Sequence, residues 1–461
     1  MASAPLLLEG GTVLTLDPQR RRFEEGWVSV EGGRIASLGA GPPPSLPPGA
    51  QRFSLRGRTL MPGLVNCHAH LFLSLLRGAF SGLPLYDWLK RIYSVVSFLT
   101  EEDCRAAARL GCLELAHSGV TTFVDHHFLN PRPGLGRTVL EAYRGMGLRG
   151  IFSRGLMDMG TLCPPEGLEQ AERVIEECRD LLREFREPLV RKEVGLCIGP
   201  NSPGYNVTSD SLRKASAFAR EAGLQVTVHV AETRRVVEDV RRLYGYAGVV
   251  EYLEGIGVLG PEILAAHAIH ISPGEIDLLA SRGAAVAYNP VANMYLGDGV
   301  APVVDLLRAG VKVGLGTDGA ASNNTLDFFE TMKFGSLLQK VQRLDPGQLP
   351  AGDTLHMATL GGARCLGLDE EIGSIETGKR ADLIVVRPRG RPHTTPLHDL
   401  EAQLVYSAKC LDMESVLVDG RFVVKEGKLL TASEEDILQE AEASGERIRR
   451  GLRRIWRAAR G

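Results

Sequence analysis

The chain has 461 residues, of which 44% are hydrophobic and 24% are charged, so it can bury a large core and is neither disordered nor a disulfide mini-fold. Its 53 Lys plus Arg residues nearly balance 56 Asp plus Glu residues, and the net charge of −3 gives no reason to expect nucleic acid as a partner. It has no apolar run of membrane-spanning length, no recognisable signal peptide and no CxxC pair among its eight cysteines, so we predict a cytoplasmic protein without a membrane partner.

The first 58 residues predict short β-hairpins. Residues 27–30 and 34–38 alternate in and out on either side of a glycine-containing turn at residues 31–33. A proline-rich stretch at residues 41–49 predicts a surface loop.

The middle of the chain alternates strand-like and helix-like patterns. Eight strand-like runs are separated by segments of helical periodicity, such as residues 101–118 and 209–222. The runs are residues 64–67, 119–125, 148–156, 193–198, 225–230, 263–268, 284–289 and 311–316. Eight strands in α/β alternation favour a closed (β/α)8 barrel of the TIM type, with an open doubly wound sheet as the alternative.

The C-terminal part returns to the hairpin pattern of the start. Strand-like runs occur at residues 381–386, 415–418 and 421–424, the last two on either side of an Asp-Gly turn. Because hairpins at either end would be unstable alone, we predict that both ends build one small β-sandwich.

These patterns predict three units in an α/β protein. Residues 1–58 together with residues 370–430 form the sandwich, and residues 59–369 form the barrel. Residues 431–461 form a C-terminal helix with a basic end. Its apolar residues recur at helical spacing, so we expect it to pack on the body and assign it no function.

Histidines and one acidic residue stand where predicted barrel strands end. His68 and His70 close the first strand, and residues two apart on a strand point to the same face, so both imidazoles project together. His229 closes the fifth strand, His267 the sixth and Asp318 the eighth. Because barrel active sites assemble at the C-terminal ends of the strands, imidazoles and a carboxylate delivered there predict a divalent-metal site.

The same residues resemble the amidohydrolase superfamily. Its pattern combines an HxH on strand one, an HxxE that here ends at Glu232, a histidine on strand six and an aspartate on strand eight. Residues 289–294 and 316–324 are similar to its aminohydrolase branch, which includes deaminases of adenosine-like compounds, guanine, 8-oxoguanine, cytosine and pterins, and triazine hydrolases. The resemblance covers essentially the whole chain, including the split sandwich.

The resemblance implies one bound divalent metal ion, with zinc expected and iron as the alternative. The implied ligands are His68, His70, His229 and Asp318. Members of the family with two metals bridge them through a carboxylated lysine on strand four. Residues 193–199 contain no lysine, so we predict a mononuclear site.

The resemblance also implies catalytic roles. Glu232 would be the proton shuttle, and His267 would polarise the substrate or the attacking water. Asp318 would accept the first proton from that water. The implied reaction is hydrolytic deamination, in which metal-bound hydroxide attacks an amino-substituted nitrogen heterocycle of the purine, pyrimidine or pterin type and ammonia leaves.

Two alternative substrates remain within the same branch. One is a triazine, from which chloride or an amine would be removed, and the other is methylthioadenosine or S-adenosylhomocysteine. The loop after Trp88 lacks the glutamate that holds the ribose in deaminases of these nucleosides, and Asn201 stands where they carry a histidine. We therefore expect a free heterocycle as the small-molecule substrate.

Four residues are candidates for contacts with the substrate, namely Trp88, His126, His127 and Asn201. For each, packing at the rim or exposure to solvent explains the residue equally well. We keep a homo-oligomer as an option.

Three alternatives compete with this function. Residues 314–319 match GxGxxG, which can bind a dinucleotide, but no following strand completes such a site. The HxE and PCxxC pattern of nucleic-acid deaminases is absent from the sequence. A catalytically inactive scaffold would be expected to lose ligands, whereas this chain keeps them all.

Overall fold

The structure, a computed structural model, describes residues 4–43, 45, 49–160 and 162–458. Part of the predicted proline-rich loop at residues 41–49 and the last three residues of the predicted C-terminal helix therefore lie outside the described residues. In the described part of the chain, no helix is long and apolar enough to cross a membrane. The cytoplasmic location and the homo-oligomer stay predictions.

The chain begins with five strands, β1 (Leu6–Leu14), β2 (Arg22–Glu31), β3 (Arg34–Ala40), β4 (Gln51–Ser54) and β5 (Thr59–Pro62). β1 pairs antiparallel with β2, and β2 pairs antiparallel with β3. The turn between β2 and β3 places Gly32 and Gly33 at φ +56° and +81°, a region that side chains disfavour, which explains both glycines. The predicted hairpin is thus confirmed.

The next segments form the barrel: β6 (Leu64–His70), β7 (Val120–His127), β8 (Arg149–Leu156), β9 (Gly195–Pro200), β10 (Gln225–Val230), β11 (Ile263–His267), β12 (Ala285–Tyr288), β13 (Lys312–Leu315) and β14 (Asp318–Gly319). All eight predicted strands are present, and neighbours pair in parallel from β6 to β13. β14 continues the course of β13 and pairs in parallel with β6. This pairing closes the barrel, so the barrel is confirmed and the open sheet is wrong.

The helices are α1 (Leu85–Tyr93), α2 (Glu101–His117), α3 (Leu135–Met146), α4 (Ala171–Glu184), α5 (Arg186–Val190), α6 (Ser209–Ala222), α7 (Arg234–Tyr244), α8 (Val249–Gly255), α9 (Pro273–Arg282), α10 (Pro290–Tyr295), α11 (Val303–Arg308), α12 (Phe328–Arg343), α13 (Ala351–His356), α14 (Gly362–Cys365), α15 (Leu400–Ala402) and α16 (Glu434–Ala458). Capping boxes fix where two of them begin: Thr100 and Asp103 at α2, and Ser272 and Glu275 at α9. Apolar side chains of the helices and of the outer barrel surface share one large core.

Four more strands follow the barrel: β15 (Leu383–Val386), β16 (Met413–Val418), β17 (Arg421–Lys425) and β18 (Lys428–Leu429). β15 pairs antiparallel with β5, which joins both ends of the chain into one sheet. Side chains from both ends, such as Leu8 and Leu417, share one buried cluster, so the predicted sandwich unit is confirmed.

One boundary differs from the prediction. β5 belongs to the terminal sheet, because it pairs with β1 and β15, so the chain enters the barrel at Gly63 rather than at residue 59. Short apolar strands of the two units look alike in sequence, and only the pairing separates them. The division into three units stays a prediction.

The last helix packs on the barrel, as expected. Arg447 of α16 contacts Asp103, and Arg109 of α2 contacts Glu440. The apolar side chains of Ile448 and Leu452 are buried against the loop that contains α1. The helix therefore covers apolar surface on the barrel unit.

Candidate active site

The predicted metal ligands meet at one end of the barrel. His68 and His70 end β6, and the pairing of β14 with β6 sets Asp318 opposite Ala69. The Oδ1 atom of Asp318 consequently lies 3.1 Å from Nε2 of His70 and 3.5 Å from Nε2 of His68. Barrel closure thus carries the aspartate from the last strand to the histidines of the first.

Hydrogen bonds fix the tautomers of two ligand candidates. Nδ1 of His70 donates to the carbonyl oxygen of His126 at 2.6 Å, and Nδ1 of His229 donates to that of Asn201 at 2.9 Å. Since a carbonyl oxygen only accepts, each Nε2 is left with a bare lone pair. The two Nε2 atoms lie only 3.3 Å apart, an arrangement that a shared cation would stabilise.

Two polar atoms at this point have no hydrogen-bond partner among the described residues. They are Nε2 of His68 and Oδ1 of Asp318, and both are buried. A buried polar atom left unsatisfied costs roughly 1–3 kcal/mol. Atoms of His68, His70 and Asp318 that could bind an ion lie within 4.8 Å of one another, so one ion can reach all three. The residues present therefore fit a divalent metal ion.

The protonation states suit metal binding. Burial lowers the pKa of His68 to about 4, and burial together with neighbouring imidazoles holds the pKa of His229 well below its ordinary value. Burial alone would raise the pKa of Asp318, but its contacts with His68 and His70 hold it well below the usual range. Near neutral pH, His68 and His229 thus offer neutral imidazoles and Asp318 offers a carboxylate, which are forms that bind metal, whereas contact with that carboxylate outweighs burial and raises the pKa of His70.

The backbone near Asp318 includes left-handed residues and packs closely against neighbouring segments. Asp318 has φ +59° and His267 has φ +72°, a left-handed conformation that is costly for a residue with a side chain. Gly316 lies against His68, and a Cβ there would overlap the side-chain oxygen of Asn289. The hydroxyl of Ser322 donates to Oδ2 of Asp318 at 2.8 Å and orients the carboxylate.

Glu232 and His267 adjoin the ligands. Nε2 of His267 lies 3.6 Å from Oε1 of Glu232, and Nδ1 of His267 donates to Oδ1 of Asn293 at 2.8 Å. Burial, and then the charge of Asp318, raises the pKa of Glu232 to about 8. At neutral pH this carboxyl holds a proton that it can donate.

His267 is also within reach of an ion. Its ring forms a second cluster with His68 and His229, whose candidate ligand atoms again lie within 4.8 Å of one another. The structure thus brings together every residue for which a metal-binding or catalytic role was predicted.

The cavity beside these residues contains two of the four predicted substrate contacts. Its wall includes Trp88 and Asn201, together with His70, Leu85, Tyr86, Leu89, Tyr93, Phe128, Ser202, Tyr205, Asn206, His229, Glu232, Val236, His267, Leu296 and Asp318. Trp88 is held in place because its Nε1 donates to the carbonyl oxygen of Ala321 at 3.2 Å.

The positions of His126 and His127 do not match the predicted contact with substrate. Neither lines the cavity. His126 is fully buried, its ring lies 4.8 Å from that of His229, and its Nε2 contacts the carbonyl oxygen of Gly199 at 3.0 Å. The next residue of β7 points to the other side of the strand, and His127 packs between Phe72 and Phe152. His126 instead serves the site through its backbone, which orients His70.

Several residues of the site were not predicted. Ser322 and Asn293 lie in segments used for the resemblance, but nothing in their identity distinguished them from neighbouring polar residues. Tyr93 and Asn206 come from a helix end and a loop, where no periodicity predicts direction. Sequence patterns could not have found them.

Comparison with known proteins agrees with this geometry. Residues 59–423 match the model of the amidohydrolase family. The chain belongs to the amidohydrolase family. It is accordingly a hydrolase of carbon–nitrogen bonds other than peptide bonds, and both predictions are confirmed.

Relatives of similar length are deaminases. A 5-methylthioadenosine/S-adenosylhomocysteine deaminase of Desulforudis audaxviator is 40% identical over 92% of this chain and 95% of the relative. A 5'-deoxyadenosine deaminase of Methanothermobacter thermautotrophicus is 40% identical over 96% of this chain and 99% of its own length. The predicted hydrolytic deaminase is supported at this level.

Solved structures are similar over the whole chain. An adenosine deaminase from Xanthomonas campestris with bound zinc has a TM-score of 0.88 and 29% identity, and the match covers 97% of this chain and 99% of that one. An atrazine chlorohydrolase from Arthrobacter aurescens, complexed with zinc, has a TM-score of 0.89 and 26% identity over 95% of this chain and all of its own. These zinc-bound structures thus support a divalent metal ion in this protein.

Proposed function

We propose that this member of the family is a zinc-dependent deaminase that releases ammonia from an amino-substituted nitrogen heterocycle. The observation that carries the proposal is the cavity whose wall brings Glu232, with its raised pKa, together with the imidazoles of His70, His229 and His267 and the carboxylate of Asp318. Residues 63–369 would contain the whole reaction, with residues 1–62 and 370–430 as the sandwich and residues 431–461 as the C-terminal helix.

One ion would be held by four residues, His68, His70, His229 and Asp318. When bound, such an ion lowers the pKa of water towards about 7 and so supplies a nucleophile at neutral pH. β9 (Gly195–Pro200) has no lysine that could bridge a second ion. We therefore propose a mononuclear site with zinc as the ion and iron as the alternative.

The protein's own groups move the protons. Glu232 donates its proton to the ring nitrogen next to the carbon that bears the amino group, which makes that carbon more electrophilic. As the oxygen of water adds to this carbon, the carboxylate of Asp318 accepts a proton. Nδ1 of His267 is held by Asn293, so its Nε2 can accept a hydrogen bond from the water or, when protonated, polarise the substrate. The amino group then takes up the proton held by Asp318, the carbon–nitrogen bond breaks and ammonia leaves, while the added oxygen gives its remaining proton to Glu232 and becomes the carbonyl oxygen of the product.

A second candidate substrate is an adenosine derivative. The two relatives at 40% identity are named for such substrates, which favours this candidate. Among the described residues, on the other hand, the wall of the cavity contains no carboxylate besides Glu232 and Asp318 to hold a ribose, which favours a free heterocycle. The atrazine chlorohydrolase supports a triazine as a third candidate.

A screen for ammonia release tests the proposal. The zinc-loaded protein would be assayed with guanine, 8-oxoguanine, isocytosine, cytosine, pterin, adenosine, 5'-methylthioadenosine and melamine, with the Glu232→Gln variant as the inactive control. We expect ammonia from at least one compound with the wild type only. Chloride release from atrazine without ammonia from any member of the panel would contradict a deaminase.

A further inference from the structure

Tyr93 places a phenol group in the wall of the cavity. It ends α1 and is only 1% exposed, yet it lines the same cavity as Glu232 and His229. Two asparagine side chains contact its hydroxyl oxygen: Asn206 at 3.1 Å and Asn201 at 3.3 Å. The direction of these two hydrogen bonds decides what the hydroxyl offers to a substrate.

The orientation of the Asn206 amide is fixed by a backbone group. Its Oδ1 accepts a hydrogen bond from the N–H of Ser202 at 2.7 Å, and a backbone N–H can only donate. The other end of the amide, Nδ2, therefore faces Tyr93 and must donate to the phenol oxygen.

Asn201 is oriented in the same sense. Its amide nitrogen lies 3.2 Å from the sulfur of Met157, and a thioether only accepts. This nitrogen therefore also donates to the hydroxyl oxygen of Tyr93. The backbone oxygen of Asn201 meanwhile accepts from Nδ1 of His229, so one residue joins the phenol to the metal end of the cavity.

The hydroxyl proton of Tyr93 has no hydrogen-bond acceptor among the described residues. A phenol oxygen accepts through its lone pairs, which the two amides occupy, and among the described residues no acceptor for the Tyr93 proton is found. Burial raises the pKa of Tyr93 well above its ordinary value, so the proton stays on the oxygen at any pH near neutral. The O–H bond is therefore free to point into the cavity that Tyr93 lines.

We infer that Tyr93 determines specificity by donating this hydrogen bond to an oxygen atom of the substrate. The substrate would carry an oxo or hydroxyl group in addition to the amino group that is lost. The inference rests on the proposed deaminase function. It adds that the substrate carries an oxygen, apart from the amino group that is lost, which accepts a hydrogen bond. The acceptor oxygen can belong to the ring, as a carbonyl, or to a sugar, as a hydroxyl.

Paired substrates test the inference and separate these two sources. Guanine would be compared with 2-aminopurine, which lacks the ring oxygen, and adenosine with 2',3'-dideoxyadenosine, which lacks the 2'- and 3'-hydroxyls of the sugar. For each pair, kcat/KM for ammonia release gives the preference for the compound with oxygen. We expect the zinc-loaded wild type to prefer that compound in one pair by about tenfold or more, as a buried hydrogen bond allows.

Two variants and a matched control complete the experiment. Tyr93→Phe removes the donor, and Asn206→Asp supplies a carboxylate that attracts the phenol proton away from the cavity. Both are expected to bring the preference close to one. Tyr288→Phe is the control, because it also removes a buried hydroxyl but lies on β12 and contacts Gln339 and Gly335 instead of the cavity. It should leave the preference unchanged.

The outcomes distinguish the inference from the proposed function. The role of Tyr93 would be overturned by an active wild type with no preference in either pair. It would also be overturned if the Tyr93→Phe and Asn206→Asp variants kept the wild-type preference. Neither result would contradict the proposed deaminase function. A zinc-replete wild type that releases ammonia from none of these four compounds or the wider panel would overturn both.

Discussion

The metal end of the cavity and its opposite wall are built in different ways. The metal end consists of residues at the ends of barrel strands, and strand pairing fixes the position of Asp318 against His70. The wall is formed by the short helix α1 and by the loop after β9, which contribute Trp88 and Asn201. We therefore expect the rigid strands to set the chemistry and the loops to set the selectivity, as is common in barrel enzymes.

The two regions also differ in polarity. At the metal end, unsatisfied nitrogen and oxygen atoms converge within a few ångströms. The wall is largely apolar and aromatic: the rings of Tyr86 and Tyr205 meet edge to face at 5.0 Å, and the guanidinium of Arg235 lies over Tyr86 at 3.9 Å. Substitutions at the metal end should therefore abolish turnover, whereas substitutions in the wall should change which compound is accepted.

Replacing Asp318 with Asn should have the largest effect. The variant keeps the shape but loses the charge that faces His68 and His70, so we expect metal affinity to fall by more than about 100-fold and activity to disappear. Metal analysis of the purified protein measures this directly. Asp353→Asn, at an exposed pair with Arg20, is the control and should retain metal. Full metal content in Asp318→Asn would show that this carboxylate is not a ligand.

Glu232→Gln should separate proton transfer from metal binding. The amide fills the same space but cannot pass on a proton, so turnover should fall by about 10²–10⁴-fold while the metal content stays normal. Single-turnover kinetics of metal-replete protein would measure the loss. Near-normal turnover would refute the role of Glu232 as proton shuttle.

The pH dependence of kcat/KM should report the titration of Glu232. Glu232 donates a proton, and burial raises its pKa to about 8, so the active form predominates below that pH. We expect kcat/KM to fall about tenfold per pH unit as the pH rises beyond 8. The residual activity of Glu232→Gln should not show this decrease above pH 8. A wild-type profile that is flat between pH 7 and 10 would contradict a protonated Glu232 in the free enzyme.

Trp88→Phe should have the smallest effect, because it touches only the wall. The variant loses the hydrogen bond to the carbonyl oxygen of Ala321, which contributes about 0.5–1.5 kcal/mol. We expect KM to rise a few-fold with metal content unchanged and kcat nearly so. A loss of bound metal would show that the two regions are not independent.

The same contrast explains what the sequence could predict. Strand periodicity and the residues at strand ends identify the barrel, and the histidines and Asp318 follow from it because a strand has only two faces. His126 and His127 show the limit of this logic. As consecutive residues of a strand they point to opposite sides, and neither side chain lines the cavity. Tyr93 and Asn206 depend on loop conformation and on hydrogen bonds between distant segments, and neither leaves a periodic pattern.

The most direct test of the metal site is a crystal structure of the zinc-loaded protein with anomalous scattering recorded on both sides of the zinc absorption edge. We predict one anomalous peak per chain, within coordination distance of His68, His70, His229 and Asp318. A peak elsewhere, a second peak in the barrel, or no peak in a protein that deaminates its substrate would contradict a single ion held by these four residues.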